Sequence, residues 1–197
     1  MDRGRMEAFS DGVFAVAITL LVVNLAVPKR GGPPIVEQLS AAWPSFVAYL
    51  ISFLTIGIIW VNHHAIVRNI AAVDRTLLFL NLLLLMFVVT IPFSTSTMAD
   101  FLTSGGRDAK VATAIYAADF ELMSLCFAAI FEWTLHRDAW LHNPVPESAK
   151  WGARLRFTVG LVPYAAAVGV AFLSPAVSLA VTGLVAVYYM FERTPGP

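Results

Sequence analysis

Between Arg5 and Val27 the chain reads RMEAFSDGVFAVAITLLVVNLAV, an apolar stretch with an arginine, a serine and an aspartate crowded at its start. About 20 apolar residues, rising about 1.5 Å each, cross the hydrocarbon core of a bilayer. A carboxylate so close to that core is costly unless it has a partner, water or a function. Asp11 therefore leaves this helix two roles: an anchor with a capped N-terminus, or one wall of a polar pathway.

Composition puts the whole chain in the same environment. It is 58% hydrophobic and 13% charged, whereas soluble domains carry about 25% charged residues. The chain reads as an integral membrane protein. Thirteen basic and thirteen acidic side chains balance, so no surplus exists for a nucleic-acid surface, and no acidic tail is present. Cys126 is the only cysteine and lies in an apolar run, which rules out an internal disulfide. The first apolar run is too long for a cleaved leader and is expected to stay.

Six membrane spans are expected, at residues 9–27, 43–64, 76–98, 109–135, 155–173 and 176–191. Pro28 and the Lys-Arg-Gly-Gly-Pro-Pro turn end the first, and Ser174-Pro175 separates the last two. Pro92 predicts a kink near the end of the third. The segment 136–154 reads as a surface loop or a short interfacial helix. With six spans, one side of the membrane holds Arg3, Arg5, Arg68, Arg75, Arg137, Lys150, Arg154, Arg156 and Arg193, and the other holds Lys29, Arg30, Arg107 and Lys110. This excess puts both termini in the cytoplasm. Trp43, Trp133, Trp140 and Trp151 fall near span ends, where amphipathic rings favour the headgroup zone.

Enzyme chemistry finds no foothold. Gly-rich phosphate loops, a GxSxG elbow and paired cysteines are all missing. His63 and His64 are adjacent, so they point to different helix faces and cannot chelate together. His136 and His142 are too far apart for one helix to offer both. No catalytic activity, metal or organic cofactor is expected.

The polar groups of the spans do line up by depth. Span one enters from the side on which span two ends, so Ser10 and Asp11 lie level with Trp60, Asn62, His63 and His64. Arg5 is close enough along the helix to reach Asp11 with its long side chain. A cluster of this kind would lock the ends of two helices together; ordinary capping of free N–H groups by Ser10 or Asp11 is the simpler alternative. Val16, Leu20 and Val23 recur at i, i+4 and i+7, which places them on one face over two turns. That stripe has three readings: lipid-facing, buried packing, or the lining of a pore. Thr19 sits beside it and can satisfy its hydroxyl on the carbonyl of Ala15, while Ala15, Ala17 and Ala26 offer small surfaces for close packing. Asp119, Glu121 and Glu132 in span four are expected at the interface or paired with basic loop residues.

Arg5-x-x-x-Phe9-Ser10-Asp11 followed by an apolar helix resembles the signature of the transmembrane protein 175 family, in its bacterial single-repeat form. The six-span layout, the length and Trp60-x-x-His63 at the end of span two are similar as well. The resemblance implies an all-α membrane protein that forms a homotetrameric, potassium-selective cation channel without a Thr-Val-Gly-Tyr-Gly filter. The first helix of each copy would line a central pore, with Val16, Leu20 and Val23 as its hydrophobic constriction and potassium as the permeant ion. Family pores tend to carry Ile or Leu at the first and last of these levels, so valine at 16 and 23 makes those rims smaller. Thr19 would contribute to selectivity, and Arg5, Ser10, Asp11, Trp60 and His63 would form the polar network that holds the first helices. A narrow apolar ring blocks ions by letting water leave it, and opens when it widens and rewets. Two expectations compete with the channel: a structural or enzyme-associated membrane protein with no conductance, and a proton-coupled transporter that uses Asp11, His63 and Glu121 as relays. Against the latter, transporters place polar groups at the midplane on broken helices, and the middle of span one is apolar.

Overall fold

The computed structural model describes residues 2–25, 28–158 and 160–191, and within them every side chain except those of Asp138, Arg156 and Phe157. Ala26 and Val27 of the expected first span, and Arg193 of the charge count, lie outside these residues. The described chain is helical almost throughout: α1 (Arg3–Val23), α2 (Ile35–Ala41), α3 (Trp43–Asn69), α4 (Arg75–Leu102), α5 (Gly106–His136), α6 (Glu147–Thr158), α7 (Leu161–Ala171) and α8 (Pro175–Phe191).

Local chemistry sets the helix ends. The Asp2 carboxylate accepts the N–H of Gly4 and caps α1. Asp74 accepts the Leu77 N–H at 2.7 Å and caps α4. Its other oxygen takes the Trp133 indole N–H at 3.3 Å, and Arg137 stands 3.8 Å away. One carboxylate thus starts α4 and holds the end of α5. At the opposite end of that helix pair, Gly105 and Gly106 have φ of 69° and 66°. A side chain is strained in this left-handed region, so the turn requires glycine.

α4 and α5 form the centre of the bundle. Leu84, Val88, Ile91 and Met98 on α4 are buried with Tyr116, Phe120 and Met123 on α5. α1 lies on α3 and α4, and α7 lies on α5 and α8. In lipid the hydrophobic effect does not drive helices together, so close packing and interhelical hydrogen bonds must. Small buried residues such as Ala48, Ala117 and Ala167 allow the close approach. Ser52 on α3 lies 2.8 Å from the Thr95 hydroxyl on α4 and 3.0 Å from the Tyr116 hydroxyl on α5, joining three helices at one point.

Among the described residues, four helices (α1, α3, α4 and α5) are long and apolar enough to cross a membrane. The expected fifth span, 155–173, is divided. Its first four residues belong to α6, a helix whose mean composition is polar, and Leu161–Ala171 form α7, only 11 residues long. Eleven residues rise about 16 Å, half of a hydrocarbon core. The division falls at Gly160, whose N–H donates to the Tyr189 hydroxyl at 2.8 Å. Pro163 follows in the first turn of α7, where a missing N–H does no harm. Pro92 is accommodated within a continuous α4.

Beyond the bundle, the N-terminus, the α3–α4 connection and the α5–α6 connection are tied together. The backbone of Asn69, Ile70 and Ala71 pairs with that of Trp140, Leu141 and His142, and Arg3 donates to the carbonyl of Arg68 at 3.0 Å.

Candidate functional site

α1 has two unlike faces. Met6, Ser10, Phe14, Ala17 and Leu21 are buried against α3 and α4. Val16, Leu20 and Val23 point the other way and are 55%, 43% and 74% exposed in the single chain. Packing within the subunit is therefore not what this stripe is for, which leaves lipid or a pore. Thr19 is exposed beside it, and its hydroxyl donates to the carbonyl of Val16 at 2.9 Å rather than to that of Ala15.

Depth alignment brings the polar residues of α1 and α3 together, with a third helix added. The Trp60 indole N–H donates to Asp11 at 2.9 Å. Deeper in, Asn81 of α4 lies between Ser10 and His63, and all three are almost fully buried. His63 Nε2 stands 2.7 Å from Asn81 Oδ1, which can only accept, so the imidazole proton sits on Nε2. The Asn81 amide donates to the Ser10 hydroxyl at 3.0 Å, and that hydroxyl donates to the Met6 carbonyl at 2.9 Å. His63 Nδ1 has no partner and its ring leans on Phe14, with centroids 5.5 Å apart. Near the surface, Glu7 and His64 approach to 3.0 Å. Each bond across membrane helices is worth about 0.6 kcal/mol on average. The two that reach α1, at Ser10 and Asp11, settle its rotation more than they add to its strength, and rotation decides which residues the free face presents.

Arg5 does not join this network. It is exposed, and among the described residues no ion pair links it to Asp11. Six residues along an α-helix leave two side chains about 120° apart, so Arg5 and Asp11 project from different faces of α1. Arg5 instead shares the face of Val16 and Val23. Asn81 went unread in the sequence although a lone asparagine inside PheLeuAsnLeuLeu is a visible signal.

The three acids of α5 separate. Glu132 is held by Arg154 at 2.6 Å. Asp119 is buried, not interfacial, because Thr90 and Ser94 of α4 put their hydroxyls 2.6 and 2.7 Å from its two oxygens. One oxygen of Glu121 is buried with no hydrogen-bond partner. Among the described residues no group of His, Cys, Asp and Glu is arranged to hold a metal ion.

Comparison with known proteins follows this geometry. The family model described as endosomal/lysosomal potassium channel TMEM175 matches residues 5–92, which contain α1, the polar network and Pro92. A protein of Streptomyces collinus named as a potassium channel is 46% identical over 198 residues, covering 100% of this chain and 95% of its own. Another so named, from Chamaesiphon minutus, is 35% identical over 191 residues, covering 95% and 93%. The crystal structure of a lysosomal potassium-selective channel TMEM175 homolog from Chamaesiphon minutus superposes with a TM-score of 0.84 at 34% identity, covering 95% of this chain and 96% of that one.

Proposed function

The chain belongs to the TMEM175 family, and we infer that it is a potassium channel of the membrane. Its relatives along the full length carry that name. The observation that carries the pore reading is the two-faced α1: one side anchored by Ser10 and Asp11, the other a bare aliphatic stripe.

In our reading four copies assemble in the cell membrane with α1 innermost. Val16, Leu20 and Val23 then form stacked apolar rims through which potassium passes without a carbonyl filter. Such rims hold water poorly, so the closed state needs no plug, and a small spreading of α1 readmits water and ions. Thr19, one step around the helix, places a hydroxyl beside the rims, although its proton is already given to the Val16 carbonyl. It can still accept, which suits a partly dehydrated cation. We also propose six crossings with both termini in the cytoplasm, α7 and α8 being the two short ones.

The proton-relay alternative loses support from the same contacts. Asp11 is engaged by Trp60 and His63 by Asn81, and the stripe beyond them is wholly apolar. Potassium-driven flux in proteoliposomes tests the difference. Uptake that persists after a protonophore collapses the proton gradient supports the channel; uptake that requires the gradient, or none from well-folded protein, refutes it.

A further inference from the structure

At its far end α1 is held a second time. Asn24, its C-terminal cap, lies with its side-chain nitrogen 3.0 Å from the backbone carbonyl of Pro92 on α4. A carbonyl only accepts, so the amide NH2 and not the amide oxygen must face it. Pro92 in turn stands between Thr90 and Ser94, the two residues whose hydroxyls meet Asp119 of α5. Each hydroxyl has one proton and two acceptors in reach. For Thr90 the carboxylate is at 2.6 Å and the Phe87 carbonyl at 2.8 Å; for Ser94 the distances are 2.7 Å and 3.1 Å to Ile91. The charged and nearer acceptor takes the proton in both.

Pro92 has no N–H, so the Val88 carbonyl loses its helical donor and α4 is softest here. Asp119 braces this segment from α5, and Asn24 hangs from it on the α1 side. α1 is thus a beam with two polar supports, Ser10–Asn81 and Asn24–Pro92, roughly 21 Å apart along its axis. Between Asp11, which Trp60 holds beside the inner support, and Asn24, the buried residues of α1 are all apolar: Phe14, Ala17 and Leu21. Val16 lies within the beam, whereas Val23 is next to the outer support.

We propose that Asn24 is a positioning residue for ion passage: through the Pro92 carbonyl it fixes where the Val23 rim stands, with Thr90, Ser94 and Asp119 holding Pro92 from behind. This rests on the reading of Val16, Leu20 and Val23 as pore rims. Release of the outer support frees only the outer end of the helix. Val23 then moves while Val16 stays.

The experiment uses the full chain in liposomes with Cys126→Ser, spin labels at Val23→Cys or Val16→Cys, and pulsed dipolar distance measurement between copies. Asn24→Leu keeps size and neutrality but removes the donor; Asn24→Ala and Asp119→Asn are the second and third variants, in case the first folds poorly. Asn24→Leu is expected to lengthen the Val23 distances and leave those at Val16 unchanged, with Asp119→Asn shifting Val23 in the same direction by less. Potassium flux of unlabelled Asn24→Leu is expected to rise about threefold, the change in a two-state ratio from one lost hydrogen bond between membrane helices. Unchanged Val23 distances, or equal broadening at both positions, overturn the proposal, since a merely structural role would loosen the whole helix. If labels at Val23 are already far apart with Asn24 intact, the pore reading itself fails and this proposal falls with it.

Discussion

Asn81 shows how much a single amide can decide in a membrane bundle. It donates to Ser10 and accepts from His63, so its removal leaves two nearly sealed polar groups facing lipid-like surroundings. A buried donor left without an acceptor costs about 1–3 kcal/mol, more than the bond itself contributes. Asn81→Leu should therefore destabilise the assembled protein by about 2 kcal/mol, read as a lower thermal midpoint in detergent. Ser10→Ala should cost about half as much, because it leaves one sealed group, the Asn81 amide, without its partner rather than two. Equal losses for the two substitutions would mean that His63 is satisfied from elsewhere. Trp60→Phe is a milder change again: its bond to Asp11 is at a site 40% exposed for the indole, where water replaces the lost partner. The residue scale is also where reading from sequence alone was least complete. Rise per residue is constant, so the depth of Ser10, Asp11, Trp60 and His63 was computable in advance. Rotation about each helix axis was not, and Arg5 went to the wrong side for that reason. Asp119 was expected at an interface because an unpaired carboxylate avoids hydrocarbon. Two hydroxyls on α4, one on either side of a proline, were enough to bring it inside.

At the scale of elements, hydropathy found α1, α3, α4 and α5 to within a few residues at most ends, since long apolar runs leave a helix no other environment. The same signal ran across the break between α6 and α7, because apolar character on both sides of Gly160 conceals a backbone discontinuity. That break has a side-chain lock. A Cβ at position 160 would come within 2.6 Å of the Tyr189 hydroxyl, which also accepts the Gly160 N–H. Gly160→Ala should force Tyr189 aside, give up that bond and lower stability by about 1–2 kcal/mol. Tyr189→Ala in the same background should recover part of the loss by removing both the hydroxyl and the ring carbon 2.7 Å from that Cβ; no recovery would place the strain elsewhere. On α1 the proposed pore depends on the apolarity of the free face rather than on its shape. Leu20→Asn should hydrate the middle rim and raise potassium flux several-fold, whereas Leu20→Ile should leave it nearly unchanged. A Leu20→Asn protein with unaltered flux would take the stripe out of the conduction path.

For the molecule as a whole, the pore reading requires that the free face of α1 meet its own copies. One chain presents a single aliphatic stripe, and a closed ring of identical chains is the arrangement that turns it toward a shared axis. The purified protein should accordingly behave in detergent as four chains of 21.4 kDa, and mass measurement at a single-chain value would contradict the pore directly. With the six crossings proposed, nine basic side chains stand on one side and four on the other, which predicts an inward N-terminus, and this orientation can be tested without any flux. Ser104, beyond the end of α4, and Glu147, at the start of α6, belong to opposite sides if α4 and α5 both cross. α5 alone separates them, so the result does not depend on whether the short α7 reaches across. Native Cys126 is buried and should stay silent. A membrane-impermeant thiol reagent added to intact cells should label Ser104→Cys at once and Glu147→Cys only after the membrane is opened. The reverse pattern would place both termini outside; labelling of both in intact cells would mean that α5, for all its 31 residues, does not cross.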